Sequence, residues 1–162
     1  MYSKTLFDLT TRPFDWTALV PIIGLFLFGA ALAWMEERKI GIIALKKIGY
    51  VLCGVAILVA GFTSAVWLSK KHAGTNALRN GECSVVERRV ASFRPMPYAG
   101  HSLESFTIEK ERFSYSDYTF TPCFNNSSAH GGPLRPEQHL RVSYTDNCML
   151  RIELLEDGIP SS

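Results

Sequence analysis

The chain is short of the residues that most directly announce chemistry. Its four cysteines, at positions 53, 83, 123 and 148, include no pair in C-x-x-C spacing. Structural zinc sites are built from such pairs, so none is expected and no metal is assigned. Charge of one sign is not concentrated either: 17 Lys and Arg stand against 15 Asp and Glu, a net charge of +2. Nucleic-acid binding needs a concentrated basic face, so nucleic acid is excluded as a partner. No G-x-S-x-G element marks a nucleophile elbow, and no cofactor is expected. Lys4, Asp8, Arg12 and Asp15 precede any apolar run, and no A-x-A site follows promptly, so no cleaved leader is expected.

Charge is also missing from two long stretches. Residues 48–68, IGYVLCGVAILVAGFTSAVWL, hold neither a charge nor a proline. As a helix they reach roughly 31 Å, close to the thickness of a bilayer's hydrocarbon. Lys46 and Lys47 bound the run on one side, Lys70 and Lys71 on the other. Residues 16–35, WTALVPIIGLFLFGAALAWM, form a second such run, with Pro21 in its first turns, where a missing N–H matters least. Trp16, Trp34 and Trp67 fall at the ends of these runs, as in an aromatic belt. Neither run has a polar face for water, so a two-helix transmembrane hairpin is expected, with the lipid bilayer as partner. Gly29 and Ala33, and Gly61 and Ala65, have the small-xxx-small spacing that lets helices approach. No charged residue lies inside either run, which argues against an ion or proton path. The linker 36–47 carries Arg38, Lys39, Lys46 and Lys47. The positive-inside rule then puts that linker in the cytoplasm and both termini outside. The expected location is the bacterial inner membrane, with the C-terminal domain extracytoplasmic.

The mean hydropathy of +0.07 averages this apolar half with a polar one. Residues 82–156 read as all-β. CSVVERRVASF (83–93) is rich in β-branched residues. SFTIE (105–109) and RFSYSDY (112–118) alternate, with a tight turn at Lys110-Glu111 making them a hairpin. HLRVSYT (139–145) and CMLRIEL (148–154) form a second hairpin about Asp146-Asn147, with Leu150, Ile152 and Leu154 on one face and Met149 on the other. Five strands, with the longest connection between the third and fourth, match the OB-fold order. The expected fold class is therefore an α + β membrane protein: a two-helix hairpin followed by a small five-stranded, OB-like barrel. Residues 1–15 are expected as a frayed tail, 69–81 as a linker and 157–162 as a disordered tail.

The residues able to carry chemistry cluster in two loops and at a strand end: Tyr98, His101 and Glu104; Asn125 and His130; and Asp117. If the loops converge, two histidines and two carboxylates line one pocket. Such a pocket would serve acid–base catalysis or metal binding through His101, Glu104, Asp117 and His130, although their spacing matches no standard site. Exposed Tyr, Asn and His instead suit recognition of an envelope protein, a peptide or a glycan. A third reading makes the chain an accessory subunit of a larger membrane complex. The bland alternative is loop structure: H-G-G-P as a tight turn, Asn125 satisfying backbone groups, Asp117 as a cap.

The segments FRPMPYAGHSLESF, FSYSDY, FNNSSAHGGPLR and LRVSY…LRIEL together resemble an uncharacterised bacterial domain family with a PMP-x-x-GH-x-x-ESF, F-x-YSDY and HGGP pattern. The resemblance covers residues 82–156. It implies a domain there and carries over no activity.

Cysteine positions add one expectation. If the first strand pairs antiparallel with the fourth, Cys148 arrives near Cys83. A Cys83–Cys148 bridge is then expected, with Cys123 left free in the long loop.

Overall fold

The computed structural model describes residues 2–34, 42–100 and 102–156. His101, residues 36–41 of the basic linker and the tail 157–162 lie outside the described residues. The chain divides into two compact units, residues 14–68 and residues 1–13 with 69–162.

The first unit holds the two apolar runs. After a short 3-10 turn capped by Asp15, α1 covers Val20–Trp34. The second helix, α2, covers Ile42–Asn80. Both are long and apolar enough to cross a membrane. Their large side chains lie mostly on the outside: Leu58 is 73% and Phe62 72% exposed. The two helices touch where Gly29 meets Gly49. A Cβ on Gly49 would lie 2.5 Å from the Gly29 carbonyl oxygen and 2.7 Å from the Ala33 nitrogen. The expected Gly61 has open space around it, so the close approach falls three turns earlier on α2 than its spacing suggested. Of the three tryptophans, Trp16 and Trp34 are exposed, whereas Trp67 is buried with its ring 4.9 Å from that of Phe14.

Residues 69–81, expected as a linker, instead continue α2 to Asn80. The helix stops there because Gly81 takes φ +70°, and the Glu82 N–H then reaches back to the Ala77 carbonyl at 2.9 Å.

The second unit is the β domain, and its first strand comes from the N-terminus. The strand β1, Tyr2–Asp8, replaces the expected frayed tail. The others are β2 Ser84–Arg89, β3 Ser92–Arg94, β4 Glu104–Ile108, β5 Glu111–Tyr115, β6 His139–Thr145 and β7 Cys148–Glu156. Four strands form one sheet in the order β1-β7-β6-β2, and three form another in the order β3-β4-β5. The expected first strand is thus split, with β2 in one sheet and β3 in the other. Among the described residues no closed barrel forms. The closing pair of an OB fold would join β5 to β7, but β7 takes β1 as its second neighbour. Both expected hairpins are present, with the first turn at Glu109-Lys110, one residue earlier than the alternation suggested.

The two sheets share a core of Phe106, Ile108, Phe113, Leu140, Val142 and Ile152, all at most 1% exposed. A bulge in β7 sends Met149 into this core, because Tyr144 pairs with Met149 while Ser143 pairs with Arg151. Leu150 is the extra residue, so it does not share a face with Ile152 as simple alternation implied. It turns toward α2, where a Cβ on Gly74 would lie 2.5 Å from Leu9 and 2.8 Å from Leu150. The end of α2 is therefore seated on Leu9, just after β1, and on Leu150.

The expected Cys83–Cys148 bridge is absent. Cys148 is bridged to Cys123, with a Cα–Cα separation of 5.3 Å, and Cys83 is a free thiol. The strand pairing explains the error. Although β2 does pair with β6, the latter lies between β2 and β7. Two strand spacings of ~4.8 Å exceed what a disulfide spans. Along β7, β1 reaches no further than the Asp8–Arg151 pair. The long loop fills the vacated edge, where the Phe124 N–H donates to the Met149 carbonyl, and this puts Cys123 beside Cys148.

Candidate functional site

Two polar regions stand out in the β domain. The first gathers most of the residues singled out in the sequence. Glu104 opens β4 with its side chain fully buried. Such a carboxylate is tolerable only if hydrogen bonds replace its water. The Tyr115 hydroxyl donates to Oε1 at 2.5 Å, and the Ser128 hydroxyl to Oε2 at 2.5 Å. The backbone N–H of Ser128 donates at 3.0 Å and that of Met96 at 3.2 Å. One side chain thus pins the Pro-rich loop, the long loop and the end of β5 together. Burial, reinforced by Glu104, pushes the Tyr115 phenol well above its ordinary range, so Tyr115 stays a donor. With donors at both oxygens, Glu104 is a tie between loops and not a general base.

Asp117, His130 and Ser127 form the second knot of this region. The Ser127 hydroxyl donates to Asp117 Oδ2 at 2.7 Å, and His130 Nδ1 lies 2.5 Å from the same oxygen. Burial alone would raise the Asp117 carboxyl. The hydrogen bonds from Ser127, from its own backbone and from His130 outweigh that and hold it below the usual carboxylate range. An ionised carboxylate only accepts, so His130 carries its proton on Nδ1. The same three residue types serve in hydrolases, but there serine and aspartate sit on opposite nitrogens of the ring. Here Ser127 Oγ and Asp117 Oδ2 both face Nδ1, and Ser127 is fully buried. The arrangement orients the imidazole and offers no nucleophile.

The turn beneath it depends on glycine. Gly131 takes φ +89°, as the H-G-G-P pattern suggested. Gly132 is needed for a different reason: a Cβ there would collide with the backbone carbonyls of Asn126 and Ser127. So held, His130 packs between two tyrosines, its ring 5.2 Å from Tyr98 and 6.2 Å from Tyr118. Tyr98 is 76% and Tyr118 56% exposed. Tyr98, Glu104, Asp117 and His130 lie together in this region, an arrangement the sequence left open, although Glu104 is sealed beneath the surface. Among the described residues no group of three or more His, Cys, Asp or Glu is placed to hold a metal.

Asn125 does not join them. Its side-chain amide donates to the Thr119 carbonyl at 2.9 Å and accepts from Arg12 at 2.6 Å. It borders the second region, an open groove of about 810 Å³. One wall is the end of α2, where Lys70, Ala73, Gly74 and Ala77 share a face. The opposite side brings together the end of β5, the long loop and the β6–β7 turn, with the Cys123–Cys148 bridge among the lining groups. Sequence reasoning missed this groove because its walls come from three distant segments. Ser127 and Ser128 were missed too, although they lie inside the segment that carries H-G-G-P.

In comparison with known proteins, no family model matches the chain, and neither does any curated protein or solved structure.

Proposed function

We propose that the protein is a membrane-anchored recognition module, with its β domain presented on the extracytoplasmic side. The observation that carries the recognition reading is the face of Tyr98, His130 and Tyr118. Two exposed tyrosines flank an imidazole whose position is set by Asp117 and Ser127. Exposed aromatics on a rigid base offer large contact area at little entropic cost, which is how partner-binding surfaces are built. An enzyme reading has less support, because Glu104 is spent on loop donors and Ser127 lies on the wrong nitrogen of His130. The resemblance of residues 82–156 to an uncharacterised family is compatible with either.

Three observations favour the anchor and its orientation. The large apolar side chains of α1 and α2 face outward, which suits lipid better than water. The strands β1 and β7 precede and follow the apolar helices in the chain, yet pair with one another, which favours a hairpin that enters and leaves the membrane on the same side. The Cys123–Cys148 bridge suits an oxidising compartment. With four basic residues in the linker, that side is the outside.

Two experiments test the proposal. Reporter fusions at residue 75 and at the C-terminus should both give an extracytoplasmic signal, and a cytoplasmic signal at both would reverse the orientation. Replacing Tyr98 and Tyr118 together by alanine should remove associated envelope components from the detergent-purified protein while leaving its melting temperature unchanged. Full retention of those components would refute the recognition face.

A further inference from the structure

We infer that Arg12, Lys70 and Lys71 hold the phosphate of an anionic phospholipid, an inference that rests on the membrane-anchored reading above. Chain position is the first argument. Arg12 stands four residues before Trp16, where the first apolar run begins, and Lys70 stands two residues after Leu68, where the second ends. Side chains this close to a spanning helix act at headgroup depth, among lipid phosphates. Geometry is the second argument, and it lies within the unit of residues 1–13 and 69–162. The Lys71 ammonium donates to the Arg12 carbonyl at 2.5 Å, which joins residues 59 positions apart. The Arg12 guanidinium is fixed on two sides: it donates to Asn125 Oδ1 at 2.6 Å and lies over the Phe7 ring, 5.6 Å from its centre. Both supports are themselves held. Asn125 is 7% exposed and donates to the Thr119 carbonyl, and the Phe7 ring packs edge-on against Phe124. Lys70 lines the same groove as Asn125.

The chemistry selects the headgroup. A phosphodiester presents two unesterified oxygens and one negative charge. The planar fork of a guanidinium matches two oxygens, and an ammonium adds charge at a point. Holding the fork in place beforehand reduces the entropy lost on binding. Of the acids nearby, Asp8 is taken by Arg151 at 2.7 Å. Glu82 lies past the far end of α2, roughly 15 Å or more from Lys70 along the helix axis. Lys70 makes no ion pair among the described residues. A zwitterionic headgroup brings an ammonium of its own, which three cations repel, so lipids of net negative charge are favoured. Lysines that snorkel from a helix end are served by the headgroup region at large, whereas a fixed arginine among them sets where one phosphate sits.

The test uses the full chain in nanodiscs of phosphatidylcholine with a minority of phosphatidylglycerol. Lipids that stay with the protein after gentle detergent extraction are counted by mass spectrometry. Phosphatidylglycerol should be enriched over its share of the bilayer. Arg12→Gln, and Lys70→Gln separately, should each lower that enrichment about fivefold. Arg12→Lys, which keeps the charge and loses the fork, should lower it as well. Arg79→Gln removes a cation roughly 14 Å further along α2 and should leave it unchanged. Lys70 bonds to no described group, so its variant keeps the test readable if Arg12→Gln fails to fold. Equal retention of the two lipids, enrichment indifferent to the Arg12 and Lys70 variants, or an equal fall with Arg79→Gln would each overturn the inference. Displacement of the lipid by millimolar glycerol 1-phosphate would assign the cations to a soluble phosphate compound and overturn it too. Carbonate extraction separates the phosphate site from the anchor. A chain that resists extraction yet shows no lipid preference loses only the site, and a chain released into the soluble fraction overturns the anchor and the site together.

Discussion

The Glu104 cluster and the groove are both built on the long loop, and they are opposite in economy. Around Glu104 and Asp117, nearly every donor meets an acceptor: Tyr115, Ser128, Met96, Ser127 and His130 are all committed inward. Around the groove, Thr119, Thr145 and Asp146 hold bonding capacity that nothing in the described chain uses. Chemically conspicuous residues are therefore not the available ones. A buried carboxylate is conspicuous because it is costly, and its cost is offset by recruiting all the donors nearby. Thr119 and Thr145 attract no notice, and their hydroxyls bond to no other described group. Mutations should separate the two regions by their effect on stability.

The largest effect should come from outside both regions. Deleting residues 2–13 removes β1, the buried Leu9 and the Arg12 bond to Asn125. The domain should then lose its cooperative melt, and residues 82–156 expressed alone should not fold. A sharp melt of that fragment would show that β1 is dispensable.

Gly132→Ala should follow. A Cβ would meet the Ser127 carbonyl oxygen at 2.6 Å, and a backbone atom cannot swing aside. The loop under His130 must shift, with a loss of about 3 kcal/mol or more in denaturant titrations. Gly74→Ala provides the contrast, since the atoms it meets are the mobile tips of Leu9 and Leu150.

Reduction of Cys123–Cys148, or its replacement by serines, opens a loop with a sequence separation of 25. The chain-entropy model puts the loss at about 3 kcal/mol. Melting in the presence and absence of dithiothreitol reads it directly, and an unchanged midpoint would count against the bridge. Glu104→Gln should cost about 2 kcal/mol, because an amide cannot accept from every donor that the carboxylate serves. The groove pair Thr119→Val and Thr145→Val should change stability hardly at all. If Glu104→Gln were as silent as that pair, the distinction between the regions would fail.

An effect between those of Glu104→Gln and the groove pair belongs to the Asp117–His130 contact. Its folded-state carboxyl lies below the ordinary value of about 3.9, so its stabilisation is complete above that pH and is lost as pH falls through the lower folded value. His130→Ala should lower stability by about 1 kcal/mol at neutral pH, with the difference shrinking as acidification protonates the Asp117 carboxylate. A difference that grows on acidification would contradict the assigned contact.

Much of this was legible in the residues alone. Two long charge-free runs leave no polar face, so two exposed apolar helices followed from composition. Alternation placed β6 to the residue and the ends of β4, β5 and β7 within one to three residues, because a half-buried strand repeats every second position. The sequence marked Tyr98, Asp117 and His130 as residues able to carry chemistry but left open whether their loops meet. Alternation failed at Leu150, where a bulge reversed the face, since one extra residue costs a strand little and shows no mark in the sequence.

What only the tertiary structure decided is pairing between segments far apart in the chain. Tyr2–Asp8 looks like a tail because a strand of that length has no stability by itself, and its partner lies more than 140 residues on, as with Asp8 and Arg151. The choice of Cys123 over Cys83 turned on one intervening strand, which residue spacing does not encode. The groove exists because β1 occupied the place on β7 where β5 would have closed a barrel. Local chemistry sets which elements form. Which edges remain free is settled only once every strand competes for the same neighbours.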